Sequence, residues 1–131
     1  MRGHRLFCSN RGRRDGCGRT IAVLLASVVP RRVAGAAAVF AFLLALSVGT
    51  NTAEAWRRAS AMTLRTGYRI RSALDLAGPA IRTALLARAP PPSVASASPR
   101  AQLVAHLREV LGADLASFDR FQLAFQCSVL P

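Results

Sequence analysis

The sequence predicts an all-α protein: a small helical bundle with a helix-turn-helix, a basic irregular N-terminal arm, a Pro-rich linker and a short C-terminal helical pair. Three observations lead there. Apolar residues recur at helical spacing in several segments, among them Ile70 and Leu74, Leu103 and Leu107, and Phe118, Phe121 and Phe125. Helix start and stop signals bracket those segments. A 21-residue stretch, 33–53, carries no charge and is apolar on every side, the pattern of a helix that is buried or spans a membrane.

Residues 1–20 hold six arginines, are rich in Gly and show no apolar period, so they read as an arm. The run 21–29 (IAVLLASVV) is too short to cross a bilayer and reads either as a strand or as a buried helical turn. After Arg31 and Arg32 comes the uncharged stretch, whose strongly apolar members are Val33, Val39, Phe40, Phe42, Leu43, Leu44, Leu46 and Val48. Gly49 is expected to end this helix. Asn51 followed by Glu54 forms a capping-box pattern with Asn in the Ser/Thr place. A short helix over about 52–60 follows, then a turn at Ala61-Met62, then a helix capped by Thr63. On that helix Gly67, Ile70 and Leu74 define one face, and Arg65, Thr66 and Arg69 lie away from it. Gly78-Pro79 is expected to break or kink the helix, with a further stretch running to about Arg88, so the helical region covers 21–88.

Residues 89–99, with four prolines and three serines, read as a linker. The C-terminal segment, 100–131, starts with a helix presenting Leu103, Val104, Leu107 and Leu111 on one side and stopped by Gly112. Ser117 is the expected cap of the last helix.

Charge narrows the partners. All 18 basic residues are arginine, the acids number six, and the net charge is +12. Residues 1–71 hold 13 Arg against two acids, whereas 72–131 hold five against four. A positive charge loaded into the first half points to a polyanion. Arg without Lys, with abundant Ala, also fits a GC-rich genome, but composition alone does not produce the asymmetry. A hydrophobic fraction of 52% argues against wholesale disorder. Three cysteines make no disulfide framework and fit a reducing compartment.

No catalytic set is visible. His4 and His106 are isolated, the acids are scattered, and no metalloprotease, phosphate-loop or nucleophile-elbow motif occurs. The expectation is therefore a protein that is not an enzyme.

Cys8 and Cys17 are separated by eight residues, 9–16, and a structural zinc needs four N/S ligands. They are metal candidates only as an incomplete site. Cys17-Gly18-Arg19-Thr20 resembles the second knuckle of the zinc ribbons that begin many insertion-sequence transposases, with Ile21 in place of an aromatic residue and the first knuckle missing, as though the chain began inside the ribbon. Thr63-Leu64-Arg65-Thr66-Gly67-Tyr68-Arg69 resembles a recognition-helix start in transposase-associated proteins. Phe121-Gln122-Leu123-Ala124-Phe125-Gln126 is similar to the tail of the same bacterial zinc-ribbon proteins. The resemblance covers about 7–88 and extends to the tail. It implies a DNA-binding module or remnant, N-terminally truncated, without the acid-rich nuclease domain of a complete transposase.

The residues themselves fit that role. Arg65 and Arg69 are one helical turn apart and can reach one groove, pairing with guanine or phosphate. Thr63 caps the helix and donates to phosphate, Thr66 joins the groove contact, and Arg57 and Arg58 neutralise flanking phosphates. Trp56 is expected between the two helices. Double-stranded DNA is the expected partner, zinc the one conceivable cofactor, and the cytoplasm the expected location.

A rival reading is a single-pass membrane protein spanning about 33–53 in the inner membrane, its N-terminus held in the cytoplasm by the preceding arginines. The eight strongly apolar residues favour insertion by roughly 2–5 kcal/mol, which Ala, Gly, Ser, Thr and Asn partly take back. A secretory signal would need an n-region far shorter than the one before Val33. An organellar transit peptide matches only in composition, and a decayed reading frame is the remaining reading.

Overall fold

The computed structural model describes residues 4–7, 20–23, 27, 29, 34–93 and 98–130. Five helices form the body: α1 (Ala36–Ser47), α2 (Thr52–Ala59), α3 (Leu64–Leu86), α4 (Pro99–Leu111) and α5 (Ser117–Phe125). The architecture is an all-α bundle, as expected. The arm departs from the expectation of irregularity. Strands β1 (His4–Phe7) and β2 (Thr20–Val23) pair antiparallel, with His4 opposite Val23 and Phe7 opposite Thr20. Leu, Phe, Thr, Ile and Val in these two tetrapeptides suit a pleated ribbon.

Helix α1 is the centre of the bundle and packs against α2, α3, α4 and α5. Its side chains meet neighbours on opposite sides. Phe40 meets Phe118 of α5 edge-to-face at 5.1 Å between ring centroids, and Phe42 meets Trp56 of α2 in the same manner at 5.1 Å. Val39, Phe40, Phe42, Leu43 and Leu46 are all buried. This explains a helix with no polar face: partners cover it almost all round.

The same geometry corrects the membrane-spanning reading of 33–53. Helix α1 has 12 residues, about 18 Å at 1.5 Å per residue, against the ~30 Å of a hydrocarbon core. It is ended by Gly49, whose φ of 88° is left-handed. The Gly49 N–H donates to the Leu46 carbonyl and the Thr50 N–H to the Ala45 carbonyl, the paired bonds of a Schellman stop. Among the described residues no helix is long and apolar enough to cross a membrane.

Helix α3 corrects the expected break at Gly78-Pro79. It runs unbroken through Gly78 and Pro79. Proline in a helix interior costs about 3 kcal/mol, because it donates no bond to the carbonyl four residues back and its ring crowds that carbonyl. Here the buried stripe Ile70, Ala73, Leu74, Ala77, Ile81 and Leu85 continues across Pro79. Each buried Leu or Ile contributes about 1.5–3 kcal/mol, so packing on both sides outweighs the local cost. Pro79 itself is exposed.

Helix α4 starts one residue earlier than the linker reading places it, with Pro99 in the first turn, where a missing N–H is harmless. Leu103, Val104 and Leu107 are buried, and Gly112, at φ 96°, ends the helix. Arg100 clasps Asp75 of α3 with two bonds, Nε to Oδ1 at 2.9 Å and Nη2 to Oδ2 at 2.7 Å. His106 is buried and its Nε2 donates to the Ala89 carbonyl at 2.9 Å, tying α4 to the end of α3.

Ser117 is not the cap of α5 but its first residue. Its hydroxyl is buried and turned back to the carbonyls of Gly112 and Asp114, at 2.8 and 2.9 Å. The apolar face of α5 is as expected, with Phe118 and Phe121 buried and Phe125 stacked on Phe121 at 4.7 Å. Helices α4 and α5 share one core with α1, α2 and α3.

Candidate nucleic-acid interface

Helices α2 and α3 are joined by the turn Ser60–Thr63, and local chemistry sets each boundary. At the start of α2 the Asn51 Oδ1 accepts from the Glu54 N–H at 3.0 Å. The reciprocal half of the capping box is replaced by a side-chain contact, Asn51 Nδ2 to Glu54 Oε2 at 3.4 Å. In the turn, the Ser60 hydroxyl accepts from the Met62 N–H at 3.2 Å. Trp56 sits between the helices, fully buried, and its indole N–H is shared by the carbonyls of Met62 and Thr63 at 3.2 and 3.0 Å. The indole thus holds the turn as well as the core.

Two further contacts lock the pair. Gly67 lets α3 approach the indole, since a Cβ there would lie 2.4 Å from Trp56 Cγ. Arg71 Nη1 donates to the buried Thr52 hydroxyl oxygen at 2.7 Å. Neither contact follows from local spacing, because Arg71 and Thr52 are 19 residues apart.

The proposed contact residues fall into two groups. Arg57, Arg65 and Arg69 are exposed, and among the described residues none of them has an ion-pair partner. Arg65 and Arg69 share one face of α3, opposite the buried stripe. Arg58 is exposed but pairs with Glu54 one turn earlier, which offsets part of its charge. Thr63 occupies the N-cap position of α3 without a cap bond to the backbone; its Oγ1 lies 3.2 Å from the Thr66 Oγ1. Thr66 is half-buried at the margin of the face rather than at its centre.

Tyr68, 51% exposed between the two arginines, belongs to the same outward arc and was absent from the sequence-based set of contact residues. Its signal was available: an aromatic residue on the polar side of an otherwise regular helix.

The metal candidates Cys8 and Cys17 lie outside the described residues, as do the six arginines other than Arg5 that precede Val33 and follow Met1 up to Arg31, together with Arg32. Cys127 is exposed at the other end of the chain. Among the described residues no group of three His, Cys, Asp or Glu is placed to hold a metal ion.

No protein-family model, no curated protein and no solved structure matches this chain.

Proposed function

We propose that the chain is a DNA-binding module, or the remnant of one, of a transposase-like protein, with no catalytic site of its own. The observation that carries this reading is the set of exposed arginines without counter-charges, Arg57, Arg65 and Arg69, on a helix pair held by Trp56. In a helix–turn–helix the N-terminal part of the second helix meets the major groove while the first helix lies near the backbone. Arg65 and Arg69 therefore grip the groove, Tyr68 packs beside them, and Arg57 and Arg58 meet flanking phosphates.

The basic arm adds charge without adding sequence preference. Cys8 and Cys17 would supply two of the four ligands a zinc ion needs, and the remaining ligands would come from elsewhere in the chain, His4 being the nearest candidate, or from a second copy.

Titration of a fluorescent duplex with the full chain, followed by anisotropy at several salt concentrations, tests the reading. Binding that weakens steeply with salt is expected. Absence of binding at low salt overturns it.

A further inference from the structure

A cleft of about 600 Å³ opens between α3 and α4, away from the Arg65–Arg69 face. Its floor is apolar: Leu43 of the central helix, Leu74 and Leu103, all buried. Leu86 stands at its edge, 55% exposed, an apolar side chain in a place where water meets it unless something covers it. Gly78 leaves room in the wall, since a Cβ there would come no closer than 3.9 Å to Leu103. Pockets of this size, apolar with a few polar groups, suit small organic ligands.

The polar groups choose the sign of the ligand. Asp75 is engaged by Arg100 through two bonds and is approached by Arg71 at 3.9 Å. Its charge is spoken for. Arg82 also lines the cleft, is half-buried, and among the described residues has no ion-pair partner. A guanidinium drawn partly out of water beside an apolar floor lacks the carboxylate that such a group normally finds.

The geometry points to this cleft as a binding site for a monomeric single-chain amphiphile with a carboxylate head, its alkyl chain on Leu43, Leu74 and Leu103 and its head on Arg82. The inference is independent of DNA binding, because the cleft is lined by a later stretch of α3, from Leu74 to Leu86, and not by Arg57, Arg65 or Arg69. Arg82 is a fork of donors that matches a carboxylate in two bonds. Each additional buried methylene strengthens binding about fourfold.

Calorimetric titration of the full chain with dodecanoate, kept below its micelle concentration, tests the proposal. One-to-one binding is expected, with octanoate weaker by about a hundredfold or more for four missing methylenes. Arg82→Gln should weaken dodecanoate about tenfold and leave dodecyltrimethylammonium bound no more weakly than before. Gly78→Leu places a side chain in the cleft without changing the net charge, so it should abolish dodecanoate binding; because a Cβ before Pro79 also strains the helix, circular dichroism and the urea midpoint establish that the variant is folded, and Gly78→Ala, the milder change, should give a partial loss. Failure of dodecanoate to bind overturns the proposal. So does binding that survives Gly78→Leu, or many-site binding, either of which marks adsorption to the basic surface. Insensitivity to Arg82→Gln overturns the assignment of the head group.

Discussion

Gly67 and Trp56 are packed so that a single added methyl group cannot fit: the Cβ of any larger residue at 67 would lie 2.4 Å from the indole Cγ and 2.9 Å from Trp56 Cβ. These are atoms next to the α2 backbone, not the far end of a flexible chain, so relief requires the helices to separate. Gly67→Ala is expected to destabilise the fold by about 1–3 kcal/mol through overpacking, although alanine gains about 1 kcal/mol of helix propensity over glycine. Trp56 is the one tryptophan of the chain, so its fluorescence in urea reports the shift in midpoint directly. An unchanged or higher midpoint would contradict the close approach.

Pro79 offers the opposite sign. It interrupts the hydrogen-bond ladder of α3 and is exposed, at the rim of the cleft lined by Leu43, Leu74 and Leu103. Pro79→Ala is expected to stabilise by about 1–3 kcal/mol, within the cost of proline in a helix interior. Chemical denaturation of the two proteins measures it, and a destabilised variant would mean that Pro79 itself supports the packing of Ile81 and Leu85.

The Asp119 carboxyl, in the first turn of α5, is pushed above the usual carboxylate range by burial and then by the neighbouring Asp114 charge. The folded state therefore binds this proton more tightly than the unfolded state does. The stability this carboxyl contributes is present below its ordinary unfolded value and is lost as pH rises through the raised folded value. Asp119→Asn removes that dependence. Its stability relative to the wild type should rise with pH above the ordinary carboxylate range and level off above the raised folded value, by less than about 1 kcal/mol, because solvent screens the partly exposed group and the helix dipole favours the lost charge. Urea midpoints at a series of pH values measure the difference; a difference that falls with pH would be the wrong sign.

If α3 contacts DNA through Arg65 and Arg69, the double variant Arg65→Ala, Arg69→Ala should lower the slope of log affinity against log salt by about 2, since each phosphate contact contributes about 0.9. If one of the arginines reads a base, about 1–3 kcal/mol is lost at the preferred sequence and little elsewhere. Both residues are exposed, so stability should change by no more than about 0.5 kcal/mol. An unchanged salt slope would remove α3 from the interface.

With two neighbouring thiols at Cys8 and Cys17, the chain is expected to appear mainly as metal-free monomer in native mass spectrometry. Added zinc should produce weak binding or species with ligands from two copies. A tight one-to-one complex that survives mild chelation would require a complete set of ligands within one chain.

Where a signal is local, the residues alone were enough. The Asn51–Glu54 start, the stops at Gly49 and Gly112, the turn before Thr63 and the face made by Phe118, Phe121 and Phe125 all depend on neighbours within about one helical turn, and each stands where its spacing placed it. The position of Trp56 between the helices was also legible, because one large apolar ring on a short polar helix has few places to go. What required the tertiary structure was each choice between alternatives that the residues leave open. Residues 33–53 fit a core or a membrane equally well until Phe40 is seen on Phe118 and Phe42 on Trp56. Pro79 reads as a break until the buried stripe of α3 is seen on both sides of it. Ser117 reads as a cap until its hydroxyl is found on the carbonyls of Gly112 and Asp114. Arg58 and Arg65 look alike in sequence, yet the structure pairs the first with Glu54 and leaves the second with no ion-pair partner among the described residues. The first two were decided by distant partners; Ser117 and Arg58 bond within five residues, where several local partners of similar energy compete. Local propensities differ by one to three kcal/mol at most, whereas long-range burial and pairing sum over many side chains and decide between local alternatives of similar energy.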